Sequence, residues 1–451
     1  MPSVDYAWVE IEGRRLEHWT SYSIDSDLTT PADGWRFSVG LPNARTTSER
    51  ALRAELVDLC RIGRGVQIFV GDDSSEQGRR AALQLTGHID DATMNAIEGQ
   101  GTIFELEGRD KALHIVDASV PVDCFRVSSV QRSRLIAPSG PGFGTVAQGT
   151  APLTAAQFTR VPEALSPNVP EWYVEQRSLT LGQLATLLCE PYSIQVVFDQ
   201  TACRDILTGR MRGDQASRAQ RAGLRAGSYA SGFAPEDVKS IQVGEARPNP
   251  GETVWDYLER HAKRLGCLLW FSADGRLIIG SPQYDQPPRA RLVRRLRSDP
   301  SDPNNIVGGE VKRSLGDRYS RVVVYGKSGR DVSKSKIVGT AVDPDWPADY
   351  DKPLVVHDRT ITTEEQANRR AQRELAKHKR SAVTMKYDVA GHSSEIGGAS
   401  YVFAIDTMVE VLDEVGGISG AFYCIKRTLS RDRQKGTTAT LVLVPKDSIV
   451  L

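Results

Sequence analysis

The feature that most constrains this chain is a β pattern that occurs twice. Residues 65–110 read as strand, polar loop, strand, turn and strand, ending in Gly108-Arg109-Asp110-Lys111. Residues 408–447 read the same way and end in Pro445-Lys446-Asp447. In the first copy Val66, Ile68 and Val70 share one face, because side chains alternate along a strand. A second strand is expected at 83–90, turn residues at 95–101, and a third strand at 102–107 with Phe104 and Leu106 inward. The second copy offers strands at 408–412, 421–426 and 438–444, with a polar turn at 431–436. Short strands with Gly and Asp at the joints point to an antiparallel barrel or sandwich. Two such units in one chain point to duplication. Each copy also follows a helix signal: Thr46-x-x-Glu49 ahead of 50–60, and Thr362-x-x-Glu365 ahead of 366–379. Both fit the capping box, in which hydroxyl and carboxylate satisfy the first free backbone N–H groups.

The rest of the chain divides around these copies. Residues 1–118 form the first β unit, with early strands at 6–11 and 35–39. Residues 119–177 are a Pro/Gly-rich insertion without regular pattern, the kind of long loop that is usually functional or disordered. Residues 178–290 read as a small α/β domain. Leu181, Leu184, Ala185 and Leu188 lie at helical spacing before a strand at 194–198. A second helix at 253–262 leads to a strand at 267–271, and Asp274-Gly275 turns the chain into a strand at 276–279. Residues 291–451 form the second β unit, entered through strands at 305–311 and 319–326.

Bulk properties exclude several classes. The 451 residues give a prior of about three domains. Lys+Arg and Asp+Glu both number 57, so there is no global pull toward nucleic acid or an acidic membrane. Near-zero net charge also does little to oppose association. The six cysteines, at 60, 124, 189, 203, 267 and 424, form no CxxC pair, so reduced and mostly buried thiols are expected. No signal peptide is expected at the N-terminus, and no apolar run approaches the ~20 residues of a membrane span. Synthesis and folding in a cytoplasm are expected.

A search for catalytic chemistry leaves little. Glu105 and Glu107 lie two apart on a strand, roughly 6.5–7 Å between Cα atoms, which suits a glycosidase pair. A solvated strand face opposite Phe104 and Leu106 accounts for them as well. No HExxH or other i, i+4 histidine pair occurs, and His392-x-x-Glu395 is only half a ligand set. Gly140-x-Gly142-x-Gly144 lacks the spacing of a dinucleotide loop, and there is no Walker lysine. No cofactor or metal is expected. Two arginine-rich stretches remain: 204, 210, 212, 218, 221 and 225, then 289, 291, 294, 295 and 297. Phosphate contact, a salt-bridged subunit interface and a solvated face are the three readings, and charge runs are usually the last.

The order of parts resembles a known family. Gly108-Arg109-Asp110-Lys111-Ala112 with Ile115-Val116-Asp117 is similar to the end of the first barrel in baseplate hub proteins of Mu-like contractile-tailed phages. Leu179-Thr180-Leu181-x-Gln183-Leu184-Ala185, Leu188-Cys189-x-Pro191-Tyr192 and Glu252-Thr253-Val254-Trp255 follow in the family's order. So do Arg318-Tyr319-Ser320 with Val324-x-Gly326, and Ile361-Thr362 with Ala367-x-Arg369-x-Ala371. The family includes late-control tail proteins and the hub part of type VI secretion spike proteins. Segments 119–177 and 200–245 are longer than its pattern, and no needle repeat follows the second β unit.

The resemblance implies a mainly β fold in which two tube-like antiparallel β-barrels flank the small α/β domain. It implies a non-enzymatic baseplate hub in the virion, assembled in the host bacterial cytoplasm. Three chains would form a homotrimer with pseudo-sixfold symmetry, joining a hexameric tail tube protein to a trimeric spike protein among neighbouring baseplate proteins. DNA would pass through its lumen. Segments 65–110 and 408–447 would supply ring contacts, with helices 50–60 and 366–379 packed on or between the barrels. Arg109, Asp110, Arg369, Arg370 and Arg373 are the candidate interface residues. Two rival classes are a tail-associated peptidoglycan hydrolase centred on Glu105 and a cell-wall binding module in 178–290.

Overall fold

The computed structural model describes residues 5–17, 19–41, 46–72, 80–97, 101–120, 178–179, 181–198, 241–242, 248–265, 267–280, 282, 284, 286–297, 299–326, 337–347, 349–358, 361, 363–396 and 399–446. The 119–177 insertion beyond residue 120, nearly all of 200–245 and the arginines at 204–225 lie outside these residues.

The N-terminal part contains β1 (Asp5–Ile11), β2 (Arg14–Leu16), β3 (Ser21–Asp27), β4 (Gly34–Leu41), α1 (Thr47–Leu59), β5 (Gly65–Asp72), β6 (Arg80–Ile97) and β7 (Gly101–Asp110), then the short α2 (Leu113–Asp117). The middle contains β8 (Ser178–Leu179), α3 (Leu181–Cys189), β9 (Val196–Phe198), β10 (Ile241–Gln242), α4 (Val254–Leu265), β11 (Leu268–Phe271) and β12 (Leu277–Gly280). The last part contains β13 (Ala290–Arg294), β14 (Ile306–Arg313), β15 (Arg321–Tyr325), β16 (Val338–Val342), β17 (Pro353–His357) and α5 (Glu364–Ala382). It ends with β18 (Val383–Ala390), β19 (Ser393–Ile396), β20 (Ala399–Val402), β21 (Thr407–Asp413), β22 (Ile418–Asp432) and β23 (Gly436–Val444).

The fold is mainly β and mostly antiparallel. Thirteen strands form one sheet in the order β14-β18-β23-β22-β3-β4-β7-β6-β5-β1-β2, with β21 also on β22 and β13 parallel to β21. The period of two is visible in burial: Tyr22, Ile24 and Ser26 of β3 are buried, while Ser23, Asp25 and Asp27 between them are not. The two barrels expected from the sequence are, within one chain, two halves of this open sheet. Their buried faces share one core, in which Ile24, Phe37 and Leu106 of the first half join Tyr387, Leu429 and Leu441 of the second. Among the described residues the sheet does not close on itself.

The duplication is exact to the residue in its central hairpin. In the first half β6 pairs with β5 through its N-terminal part and with β7 through its C-terminal part. In the second half β22 does the same with β21 and β23. Both long strands carry a bulge, between Ile89 and Asp91 in one and Cys424 and Lys426 in the other. From bulge to turn the pairings correspond throughout: Ile89 with Gly108 matches Cys424 with Leu443, and Ala96 with Thr102 matches Arg431 with Thr437. β4 on β7 is matched by β18 on β23, and β3 on β4 by β14 on β18.

Two expectations need correction. The helices are not equivalent. α1 lies between β4 and β5, whereas α5 precedes β18, the strand in β4's place, and the hairpin β19–β20 stands where α1 would be. A capping signal marks where a helix starts and carries nothing about its place in a sheet. The cap of α5 is the Thr363 side chain, which accepts from Gln366 N–H at 3.2 Å; the Thr362 and Glu49 side chains lie outside the description. Second, the strand at 319–326 does not enter the large sheet. β15 pairs antiparallel with β16 and parallel with β17, and α5 covers this small sheet. The approach is close: a Cβ on Gly339 of β16 would lie 2.1 Å from the Ala367 carbonyl carbon of α5.

The α/β unit has its own core of α2, α3, α4, β9, β11 and β12, built from residues such as Ile115, Leu184, Tyr257 and Ile279. β12 runs parallel to β9 and antiparallel to β11. The four described cysteines, 60, 189, 267 and 424, are free and buried. Among the described residues no helix is long and apolar enough to cross a membrane.

Candidate assembly interface

The two halves meet where β3 runs beside the C-terminal part of β22. Ser23 faces Ser430, Ile24 faces Leu429, Asp25 faces Thr428 and Asp27 faces Lys426. The bulge at Cys424/Lys426 makes this possible. Before it β22 gives one edge to β21, and after it the same edge turns to β3. Leu28 N–H donates to the Ile425 carbonyl at 3.0 Å and Asp406 N–H to that of Cys424 at 3.1 Å, closing both sides of the switch.

Arg427 sits at the centre of the junction. It is buried, and its guanidinium donates to Gln84 Oε1 and the Phe403 carbonyl, with Ser26 Oγ at 3.4 Å. These partners come from β6, the β20–β21 connection and β3, so one side chain ties three segments of both halves. Burial lowers the Arg427 pKa from its ordinary value. Burial also pushes the nearby Asp33 carboxyl up to about 6, against the opposing charge of Arg427, and pushes Asp110 well above the usual range.

His392, wholly buried, crosses the junction to Tyr22, with Nε2 2.8 Å from the hydroxyl. Burial, then the neighbouring charges of Arg427 and Arg431, push its pKa down to about 3. A histidine that titrates near 6.5 when unfolded and about 3 when folded leaves stability intact above pH 6.5 and costs it as pH falls toward 3. At pH 5 the cost is about 2 kcal/mol. Asp33 and Asp110 act in the opposite sense in the same window, because their raised values let the folded state take up protons first. The comparison is therefore with a variant. Relative to wild type, His392→Gln gains about 2 kcal/mol between pH 7 and pH 5 in chemical denaturation; parallel pH profiles would refute this.

The residues expected at the interface fall in several places. Arg109 on β7 donates from Nε to Asp90 at 2.6 Å and from both terminal nitrogens to Asp117, at 3.0 and 2.7 Å. It ties β6 and β7 to α2, and its hydrogen bonds hold the Asp117 carboxyl below the usual range. Asp110 is buried and accepts from Ala112 N–H at 3.1 Å. On α5, Arg369 pairs with Glu365 and Arg370 with Glu374 one turn away. Arg373 donates to the Lys263 carbonyl of α4 at 2.6 Å, linking α5 to the α/β unit. The structure does not bring Arg109 and Asp110 together with the α5 arginines by any described contact.

Much of the second arginine stretch pairs within the chain. Arg294 makes two hydrogen bonds to Asp413, Arg295 binds Asp299 and Asp302, and Arg291 reaches Asp302 at 3.1 Å. Of the carboxylate pair, Glu107 binds Arg36 of β4 at 2.6 Å. Among the described residues no group of three or more His, Cys, Asp or Glu side chains is placed to hold a metal. Sequence reasoning missed Arg427 and Tyr22, and met His392 only as half of a ligand set with Glu395, whereas it is buried against the Tyr22 hydroxyl. The available signal was phase: Arg427 shares the inward face with Leu429.

Residues 7–110 match the family model described as Mu phage baseplate assembly protein GpP-like, N-terminal. No curated protein matches by sequence. Among solved structures, the tail protein from Neisseria meningitidis MC58 is similar at 20% identity over 98% of this chain and 97% of that one, with a TM-score of 0.61. The 43 kDa tail protein of prophage MuSo2 from Shewanella oneidensis is similar at 18% identity over 98% and 99%, with a TM-score of 0.62. Residues 7–110 are thus similar to the N-terminal part of Mu phage baseplate assembly protein GpP-like, and the chain over its length has the fold of these two tail proteins.

Proposed function

We propose that this chain is a structural hub of a contractile-tail baseplate, a homotrimeric ring with pseudo-sixfold symmetry that joins a hexameric tail tube to a trimeric spike. The observation that carries the reading is the repeated meander, matched in register and joined side by side through β3 and β22. Three such chains present six near-equivalent units, so one face suits a sixfold partner while the assembly keeps a threefold axis. The two tube-like barrels are then completed between chains rather than within one.

The outward face of the sheet supports a lumen. Along one row Thr440 donates to Asp388 at 2.6 Å, and Thr428, opposite Thr440, donates to Asp25. Such a hydroxyl-rich face of mixed charge offers little to hold phosphate, which suits DNA passage over retention. In this reading the α5 arginines 369 and 370 serve contacts between subunits. Arg109, Asp110 and Arg373 serve those contacts from within, by fixing α2 and α5. The particle resides in the virion after assembly in the host cytoplasm.

We read the chain as non-catalytic, since Glu107 of the carboxylate pair is engaged by Arg36. Purified protein should leave a cell-wall suspension turbid; clearing that disappears in Glu105→Gln would overturn this. Light scattering on the full-length chain tests the oligomer. With a 49.5 kDa protomer, a species near 150 kDa is expected. A monomer at every concentration would count against the ring.

A further inference from the structure

We propose that the outer edge of β14 in one protomer pairs antiparallel with the C-terminal half of β6 in the next, and that this contact closes the ring. The inference deepens the hub reading and rests on it. Its basis is the junction inside the chain. There β3 of the first half lies on the post-bulge part of β22. By the matched registers, β14 is the counterpart of β3, and residues 91–97 of β6 are the counterpart of that part of β22. Among the described residues neither β14 nor residues 91–97 has a strand on its remaining edge. Eight strands, β14-β18-β23-β22-β3-β4-β7-β6, therefore run between one open edge and its complement. Two different edges at opposite ends of one chain make a head-to-tail contact, which cyclises when the rotation closes.

The register follows residue by residue. Arg36 and Lys386 occupy the same place opposite Glu107 and Val442, which makes Ser23, Ile24 and Asp25 the counterparts of Glu310, Val311 and Lys312. The internal pairs Ser23–Ser430, Ile24–Leu429 and Asp25–Thr428 then become Glu310–Asn95, Val311–Met94 and Lys312–Thr93 between protomers. Burial agrees. Ile24 and Leu429 are fully buried, whereas Met94, the counterpart of Leu429, is 39% exposed and meets the Arg53 guanidinium of α1 at its sulfur, 3.0 Å away. Val311 of β14, the counterpart of Ile24, is only half-buried. Apolar side chains left in water on two open edges are what a missing strand would cover. Charge agrees as well, since Lys312 would stand across Thr93 from Glu105. The occupant is a second copy of this chain, because the chain itself carries both halves of the contact.

The test is Thr93→Cys with Lys312→Cys in the full-length protein, oxidised and run on a non-reducing gel, with light scattering on the same sample. Cross-linked dimer and trimer are expected from the double variant, dimer only from an equimolar mixture of the two single variants, and neither from each single variant alone. A trimer in solution without cross-links overturns the edge assignment and leaves the hub reading standing. Lys312→Cys cross-linking to itself overturns it in favour of a symmetric β14 pair. A monomer throughout, without cross-links, overturns both. As a second arm, Met94→Asp should abolish the trimer and keep the circular dichroism of the wild type; a trimeric Met94→Asp protein refutes the register.

Discussion

Arg427→Ala is expected to lower the unfolding free energy by about 3–5 kcal/mol, read by urea denaturation at pH 8. The loss comes from what stays behind. Gln84 Oε1 and the Phe403 carbonyl lose their donor inside the core, and Asp33 loses the cation that opposes its burial. Unpaired buried acceptors and charges are far more costly than the net worth of the pair that satisfied them. The pH dependence has a definite sign. Asp33 titrates at about 6, so at pH 5 it is mostly neutral and needs no counter-charge. Removing Arg427 also relieves His392, whose protonation it opposes. The deficit should therefore shrink between pH 8 and pH 5. Arg427→Lys should recover only part of it, because one ammonium cannot reach three acceptors that a planar guanidinium spans. A deficit below about 1 kcal/mol at pH 8 would mean that Arg427 does not hold the junction.

Gly108→Ala is expected to cost more than about 4 kcal/mol or to abolish soluble expression. Its Cβ would stand 2.0 Å from the His88 carbonyl oxygen and 2.7 Å from the Trp35 ring. The oxygen belongs to the neighbouring strand and cannot swing away. Gly87 has the same problem, with the Arg109 carbonyl oxygen at 2.0 Å. Both glycines lie where β6 changes partner from β5 to β7, so the strands approach more closely than side chains allow. Gly40→Ala is the control: it has open space on β4 and should stay within about 0.5 kcal/mol of wild type in the same assay. Equal behaviour of the two variants would contradict the crossing.

The repeated strands could be read from the sequence because alternation and turn chemistry act locally. Val66, Ile68 and Val70 alternate with polar or half-exposed neighbours in β5 as the period of two requires, and Gly436 opens β23 where a turn was expected. The helices and strands of the α/β unit were legible for the same reason, with Leu181, Leu184 and Leu188 buried together. What failed is non-local. Arg321-Val-Val-Val-Tyr325 reads as a strand anywhere, and nothing within it says that β16, β17 and α5 will draw it out of the large sheet. The single sheet spanning both halves depends on β3 finding β22 some four hundred positions later. Arg109 and Asp110 stood out by motif, yet their hydrogen bonds lie inside the protomer. Arg427 stood out by nothing except its phase, since a polar residue at an inward strand position reveals a network only once its partners are known.

The most direct test of the central claim is electron cryo-microscopy of the full-length chain purified as its largest discrete species. The account predicts a closed ring with threefold symmetry and six similar β lobes, its sheet continuous from β14 of each protomer to β6 of the next. Open dimers, rings lacking strand continuity at those edges, or single particles of one protomer would contradict it.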